Sequence, residues 1–140
     1  MESSIKNKID NIHVLLADLP EVEFAYLFGS RVSGQSGALS DIDIAVYVDV
    51  QEGRLLYRLK LLERLQRLMG FLPVDLVVLN DAPPVLKYEV IKYGRVLKEN
   101  KDARVMFETM TLSEYLDTEH LRNTQRMYLK DQLLQGGKHG

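Results

Sequence analysis

Apolar positions recur at helical spacing through the first nineteen residues: Ile5, Ile9, Ile12, Leu15, Leu16 and Leu19. The spacing predicts an opening helix, capped by Ser3 or Ser4 and ended before Pro20. VEFAYLF, residues 22–28, alternates loosely and is rich in aromatic and β-branched types, which predicts a strand. Ser33, Gly34 and Gly37 make residues 31–40 a short helix and loop. DIDIAVYV, 41–48, reads as a second strand. GRLLYRLKLLERLQRLMG, 53–70, reads as an amphipathic helix with Leu55, Leu59, Leu62, Leu65, Leu68 and Met69 on its buried side and Gly70 at its end. VDLVVLN, 74–80, is a near-continuous apolar run, which predicts a third strand buried on both faces. Asp81 is expected to cap a helix that opens at Pro83-Pro84 and stops at Gly94. Arg95 to Lys98 add a short edge strand. From Asp102 to about Leu134 the pattern is helical, with a break expected near Thr111, where Thr111-Leu112-Ser113-Glu114 has the form of a capping box.

This order of elements predicts an α/β (α+β) domain, a small sheet with helices packed against it. The expected division is a core over 1–100, a helical extension of the same domain over 101–135, and a disordered tail at 136–140. The 140 residues suit one compact domain and are few for two. A formal net charge of -2 argues against broad electrostatic capture of nucleic acid. The absence of cysteine excludes disulfides and thiolate metal sites. No apolar run approaches the roughly 20 residues of a membrane helix, and the polar start lacks a signal peptide's apolar core. A cytoplasmic protein is expected. His13, His120 and His139 show no metal-ligand spacing. Tyr47 and Tyr57 read as packing residues, and Arg54, Arg58, Arg64 and Arg67 as a solvated helix face.

Chemistry concentrates in FGSRVSGQSGALSDIDIAV, residues 28–46. Alternate strand residues share a face, so Asp41 and Asp43 stand together while Ile42 and Ile44 enter the core. Two such carboxylates repel, and a divalent cation resolves the conflict. Magnesium favours one or two carboxylates completed by phosphates and water. Asp75 interrupts the third strand. If that strand neighbours the second, Asp75 reaches the same face, and three carboxylates on adjacent strands can hold two metals for in-line displacement at phosphorus. Gly29-Ser30 ends the first strand, where backbone N–H groups at a helix start attract phosphate oxygens. Gly29 allows close backbone approach, the Ser30 hydroxyl donates one more hydrogen bond, and Arg31 is a candidate cation. Together these parts describe a nucleoside triphosphate with its tail at Gly29-Ser30 and its metal at Asp41-Asp43.

Gly29-Ser30, ten intervening residues, then Asp41-Ile42-Asp43 resembles the signature of the DNA polymerase β-like nucleotidyltransferases. The wording FGSRVSG…SDIDIAV is similar to their minimal nucleotidyltransferase (MNT) branch, as are YEVIKYGRVLKE and EYLD further on. The resemblance implies a small mixed β-sheet flanked by helices and transfer of AMP from ATP to a hydroxyl. It implies a nucleotide and phosphate site at Gly29, Ser30, Arg31 and Ser40. Catalytic and metal roles fall to Asp41, Asp43 and Asp75, with Mg²⁺, two ions, as cofactor. It further implies a HEPN-domain toxin as partner, neutralised by AMP on a tyrosine within a type VII toxin–antitoxin pair. Two other readings stay open: an antitoxin that acts by occlusion alone, and a transferase for a small molecule of antibiotic type. The apolar positions beyond Asn100 suit either a docking surface for the partner or packing within the domain or a homodimer.

Overall fold

The computed structural model describes residues 2–29 and 42–138. The short helix and loop expected over 31–40, and with them Ser30, Arg31, Ser40 and Asp41, lie outside the described residues. In chain order the elements are α1 (Glu2–Ala17), β1 (Val22–Phe28), β2 (Ile42–Val48), α2 (Arg54–Met69), β3 (Val74–Val78), a 3-10 turn (Leu79–Asp81), α3 (Pro84–Tyr93), β4 (Arg95–Lys98) and α4 (Lys101–Lys138). The strands form one sheet in the order β3-β2-β1-β4. β1 is antiparallel to both β2 and β4, and β2 is parallel to β3. The sheet is therefore mixed, with α2 as the crossover a parallel pair requires.

Strand alternation divides the core in two. Ile42, Ile44, Val46 and Val48 face α1 and α2, where they meet Ile12, Leu16, Leu61, Leu65 and Met69. Ala45 and Tyr47 face the other way, toward Phe24, Tyr26, Val90 of α3 and Phe107 of α4. Tyr47 stacks on Phe24 with ring centroids 5.1 Å apart, which makes it a packing residue. Polar clamps fasten the elements. Lys98 Nζ donates to the carbonyls of Leu16 and Leu19 at 2.9 and 2.7 Å and so caps the end of α1. Gln66 holds the turn into β3, donating to Gly70 and Leu72 carbonyls and accepting from the Val74 N–H.

The structure departs from the sequence pattern in several places. Ser3 and Ser4 lie inside α1, which begins at Glu2. The buried line of α2 is Leu61, Leu65 and Met69; Leu55 and Leu59 are exposed instead. Leucines occur all round this helix, so spacing alone did not select the face. β3 is an edge strand: Leu76 and Val78 are buried, Val77 is half-buried and Asp75 is exposed. Asp81 does not cap α3, whose N-cap is Pro83; its carboxylate instead takes both arms of Arg54, at 2.8 and 2.9 Å. Arg54, Arg58 and Arg67 are each ion-paired, so the arginines of α2 do not form one free face. Finally, α4 runs through Thr111 without a break. Thr111 is buried, and burial against the domain carries the helix past a local capping signal. The helix is also present at 136–138, where the tail was expected.

Candidate active site

Gly29 follows β1 with φ +95, a left-handed conformation that L side chains enter only at a cost. Its neighbour explains why glycine stands there. A Cβ at Gly29 would lie 2.1 Å from Asp43 Oδ2, far inside any allowed contact. The backbone leaving β1 is thus pressed directly onto the Asp43 carboxylate. Asp43 sits second in β2, opposite Phe28 on the antiparallel side and opposite Asp75 on the parallel side. Facing positions on paired strands share a sheet face about 4.8 Å apart. Asp43 and Asp75 therefore stand as neighbours on the α3/α4 side of the sheet, while Ile42 and Ile44 are 1% and 0% exposed on the other.

Asp75 is held by an arginine and a backbone N–H. Arg58 Nη2 lies 3.4 Å from Asp75 Oδ1, and Arg58 Nε donates to the Leu76 carbonyl at 2.8 Å. The same Oδ1 accepts the Leu76 N–H at 2.9 Å. Arg58 thus wraps the free edge of β3 and partly offsets the charge of Asp75. The Asp75 side chain keeps 57% of its surface exposed, so it does not bear the desolvation cost expected for a carboxylate inside an apolar run. No signal in the sequence marks Arg58, because its reach to β3 depends on the crossover geometry of α2.

At the far end of the same strands Asn80 closes the sheet. Its Oδ1 accepts the Val48 N–H at 3.0 Å and its Nδ2 donates to the Val48 carbonyl at 2.9 Å. This pairing continues the β2–β3 ladder by a side chain, and it too was not visible in the sequence. The structure thus gathers Gly29, Asp43 and Asp75 at one end of the sheet. The donor chemistry fits a hard divalent cation: paired carboxylates reached by the exposed edge of the sheet. Among the described residues no group of three or more His, Cys, Asp and Glu side chains converges. No described helix is long and apolar enough to cross a membrane.

The mixed sheet thus carries aspartates on adjacent parallel strands, beside a positive-φ glycine at the end of the preceding strand, and the family match assigns the class of protein that bears them. Residues 10–103 match the family described as polymerase beta, nucleotidyltransferase, and the chain belongs to that family. Among individual proteins, it is 32% identical over 133 residues to the protein adenylyltransferase MntA of Shewanella oneidensis, covering 94% of this chain and 89% of that one. Solved structures agree. A toxin–antitoxin crystal structure with AMP-PNP superimposes with a TM-score of 0.70 at 30% identity, over 89% of this chain and 97% of the other. The tri-AMPylated HEPN toxin of Shewanella oneidensis in complex with its MNT antitoxin gives a TM-score of 0.67 at 29% identity, over 90% and 96%.

Proposed function

We propose that this chain is a toxin–antitoxin antitoxin: an adenylyltransferase that moves AMP from ATP to a tyrosine hydroxyl of a HEPN-domain partner and thereby silences it. The observation that carries the reading is Gly29 packed onto Asp43, with Asp75 in register beside it. The adenylyltransferase relative and the AMP-PNP and AMPylated complexes support the nucleotide, the chemistry and the class of partner.

In this reading the tyrosine oxygen attacks the α-phosphorus of ATP, the bond to the bridging oxygen breaks, and pyrophosphate leaves. Gly29 has no side chain and so leaves room for phosphates at the end of β1, and Ser30, Arg31 and Ser40 would bind them. Asp41, Asp43 and Asp75 would hold Mg²⁺, which when bound neutralises triphosphate charge and stabilises the entering and leaving oxygens. Asp75, accessible and oriented by Arg58, helps deprotonate the phenol. A phenol titrates near 10, so a carboxylate base assists at neutral pH. The rate then rests on positioning and charge complementarity. The exposed apolar residues of α4, among them Leu116, Leu121, Met127 and Leu133, supply the partner's docking surface, and the cytoplasm is the site of action.

The test is the intact mass of the partner encoded beside this protein, after incubation with ATP and Mg²⁺. Whole AMP units are expected with the native chain and none with the Asp41→Asn/Asp43→Asn variant. A stable complex with unchanged partner mass would replace transfer by occlusion. AMP appearing on a small molecule alone would replace the protein acceptor.

A further inference from the structure

A cavity lies on the same face of the sheet as the aspartates but at its opposite end. It has a volume of about 520 Å³ and is walled by the end of β2, the 49–54 turn and α4. That volume is within the range of ligand pockets. Tyr47 and Phe107, 5.5 Å apart, provide an aromatic wall, and Met106 and Met110 form a flexible, polarisable rim.

Its charges are not balanced. Glu23, Asp49 and Glu114 line it against Arg54 and Lys87. Both cations are engaged, Arg54 with Asp81 at 2.8 Å and Lys87 with Glu114 at 3.3 Å. Glu23 and Asp49 make no ion pair among the described residues. Thr111 adds an independent sign. It is 2% exposed and lines the cavity, yet its hydroxyl takes part in no hydrogen bond among the described residues. No buried side-chain oxygen or nitrogen there is both sealed and unpartnered, so the hydroxyl is reached from the cavity.

Two carboxylates and a hydroxyl without partners among the described residues, beside an aromatic wall, describe a receptor for a cation with an apolar or planar body. We propose that this cavity binds an arginine side chain presented by a protein partner. The guanidinium bonds Glu23 and Asp49, its plane lies against Tyr47, and the Thr111 hydroxyl accepts one of its N–H groups. A protein fits better than a free organic cation because the rim does not end at the cavity. Met106 and Met110 are 66% and 65% exposed and continue along α4 to Val105, surface that residues flanking the arginine would cover.

The test uses a capped Ala-Arg-Ala peptide titrated into the isotopically labelled chain, read by amide chemical shifts. The control peptide carries citrulline, the neutral isostere, in place of arginine. Expected are saturable shifts confined to residues 22–24, 47–54 and 103–114 with millimolar affinity, at least tenfold weaker binding of the citrulline peptide, and at least tenfold weaker arginine binding by Glu23→Gln/Asp49→Asn. Thr111→Val is expected to weaken it several-fold. An absence of saturable shifts, equal binding of citrulline, or unchanged affinity in either variant would overturn the proposal. None of these readouts depends on AMP transfer, so the result stands apart from the proposed activity.

Discussion

Gly29→Ala places a single methyl group where the structure has least room. The added carbon would meet Asp43 Oδ2 at 2.1 Å. Carbon and oxygen approach to about 3.3 Å in even the closer weak contacts. The carboxylate and the strand end must therefore part by the difference, about 1.2 Å. The left-handed backbone at φ +95 costs a further 1–2 kcal/mol or so for a residue with a Cβ. Misplacing a catalytic group by about 1 Å costs on the order of 100-fold in rate. The expected outcome is a roughly hundredfold slower AMP transfer, measured by time-resolved intact mass of the partner. Melting should fall by only about 3–7 °C, as such a strain implies for a domain of this size. The carboxylate itself is retained, so the two effects separate geometry from charge. Native transfer rates in a correctly folded Gly29→Ala variant would refute the argument that Gly29 sets the position of Asp43.

Three further outcomes follow from other contacts. Asn80→Ala leaves the Val48 N–H and carbonyl without the side chain that paired both, and should lower unfolding free energy by about 1–3 kcal/mol in urea titration. Leu65→Ala removes a side chain with 0% exposure and should cost about 2–5 kcal/mol, whereas Leu59→Ala, 51% exposed, should stay within about 0.5 kcal/mol; the reverse order would misplace the buried face of α2. Burial, then hydrogen bonds to Glu108 and Glu21, raise Tyr26 and Tyr57 above the ordinary 10.0. The folded state holds these protons more tightly, so stability is full below pH 10 and falls as pH climbs beyond it. The double variant Tyr26→Phe/Tyr57→Phe should flatten that alkaline loss in pH-dependent denaturation, and an unchanged slope would assign it elsewhere.

Much of the scaffold was legible because strand and helix periods are local properties. VEFAYLF and Arg95–Lys98 became β1 and β4 with the boundaries the pattern predicts. The pairing of residues 28–29 with 43 and 75 was only half legible. A run of alternating residues tells which side chains share a face, but register and neighbour choice depend on the rest of the sheet. Arg58 and Asn80 were not legible at all, since their partners lie 17 and 32 residues away and nothing in composition links them. Helix α2 misled for the opposite reason: leucine surrounds it, so burial was decided by the sheet it meets. At Thr111 a capping signal competed with tertiary packing, and packing won.

The length of α4 has a consequence for how its parts open. The helix holds 38 residues, about 57 Å at 1.5 Å per residue, but its packing on α3 and β1 is confined to the proximal part. From Asn123 to Leu134 every residue is exposed. A helical stretch this short is marginal in water when it has no tertiary support. Amide protection should therefore decline along a single unbroken rod, from near-global unfolding energies around Phe107 to helix–coil exchange at the tip. One secondary-structure element would then span two thermodynamic regimes, and only a bound partner would bring its outer half up to the stability of the inner.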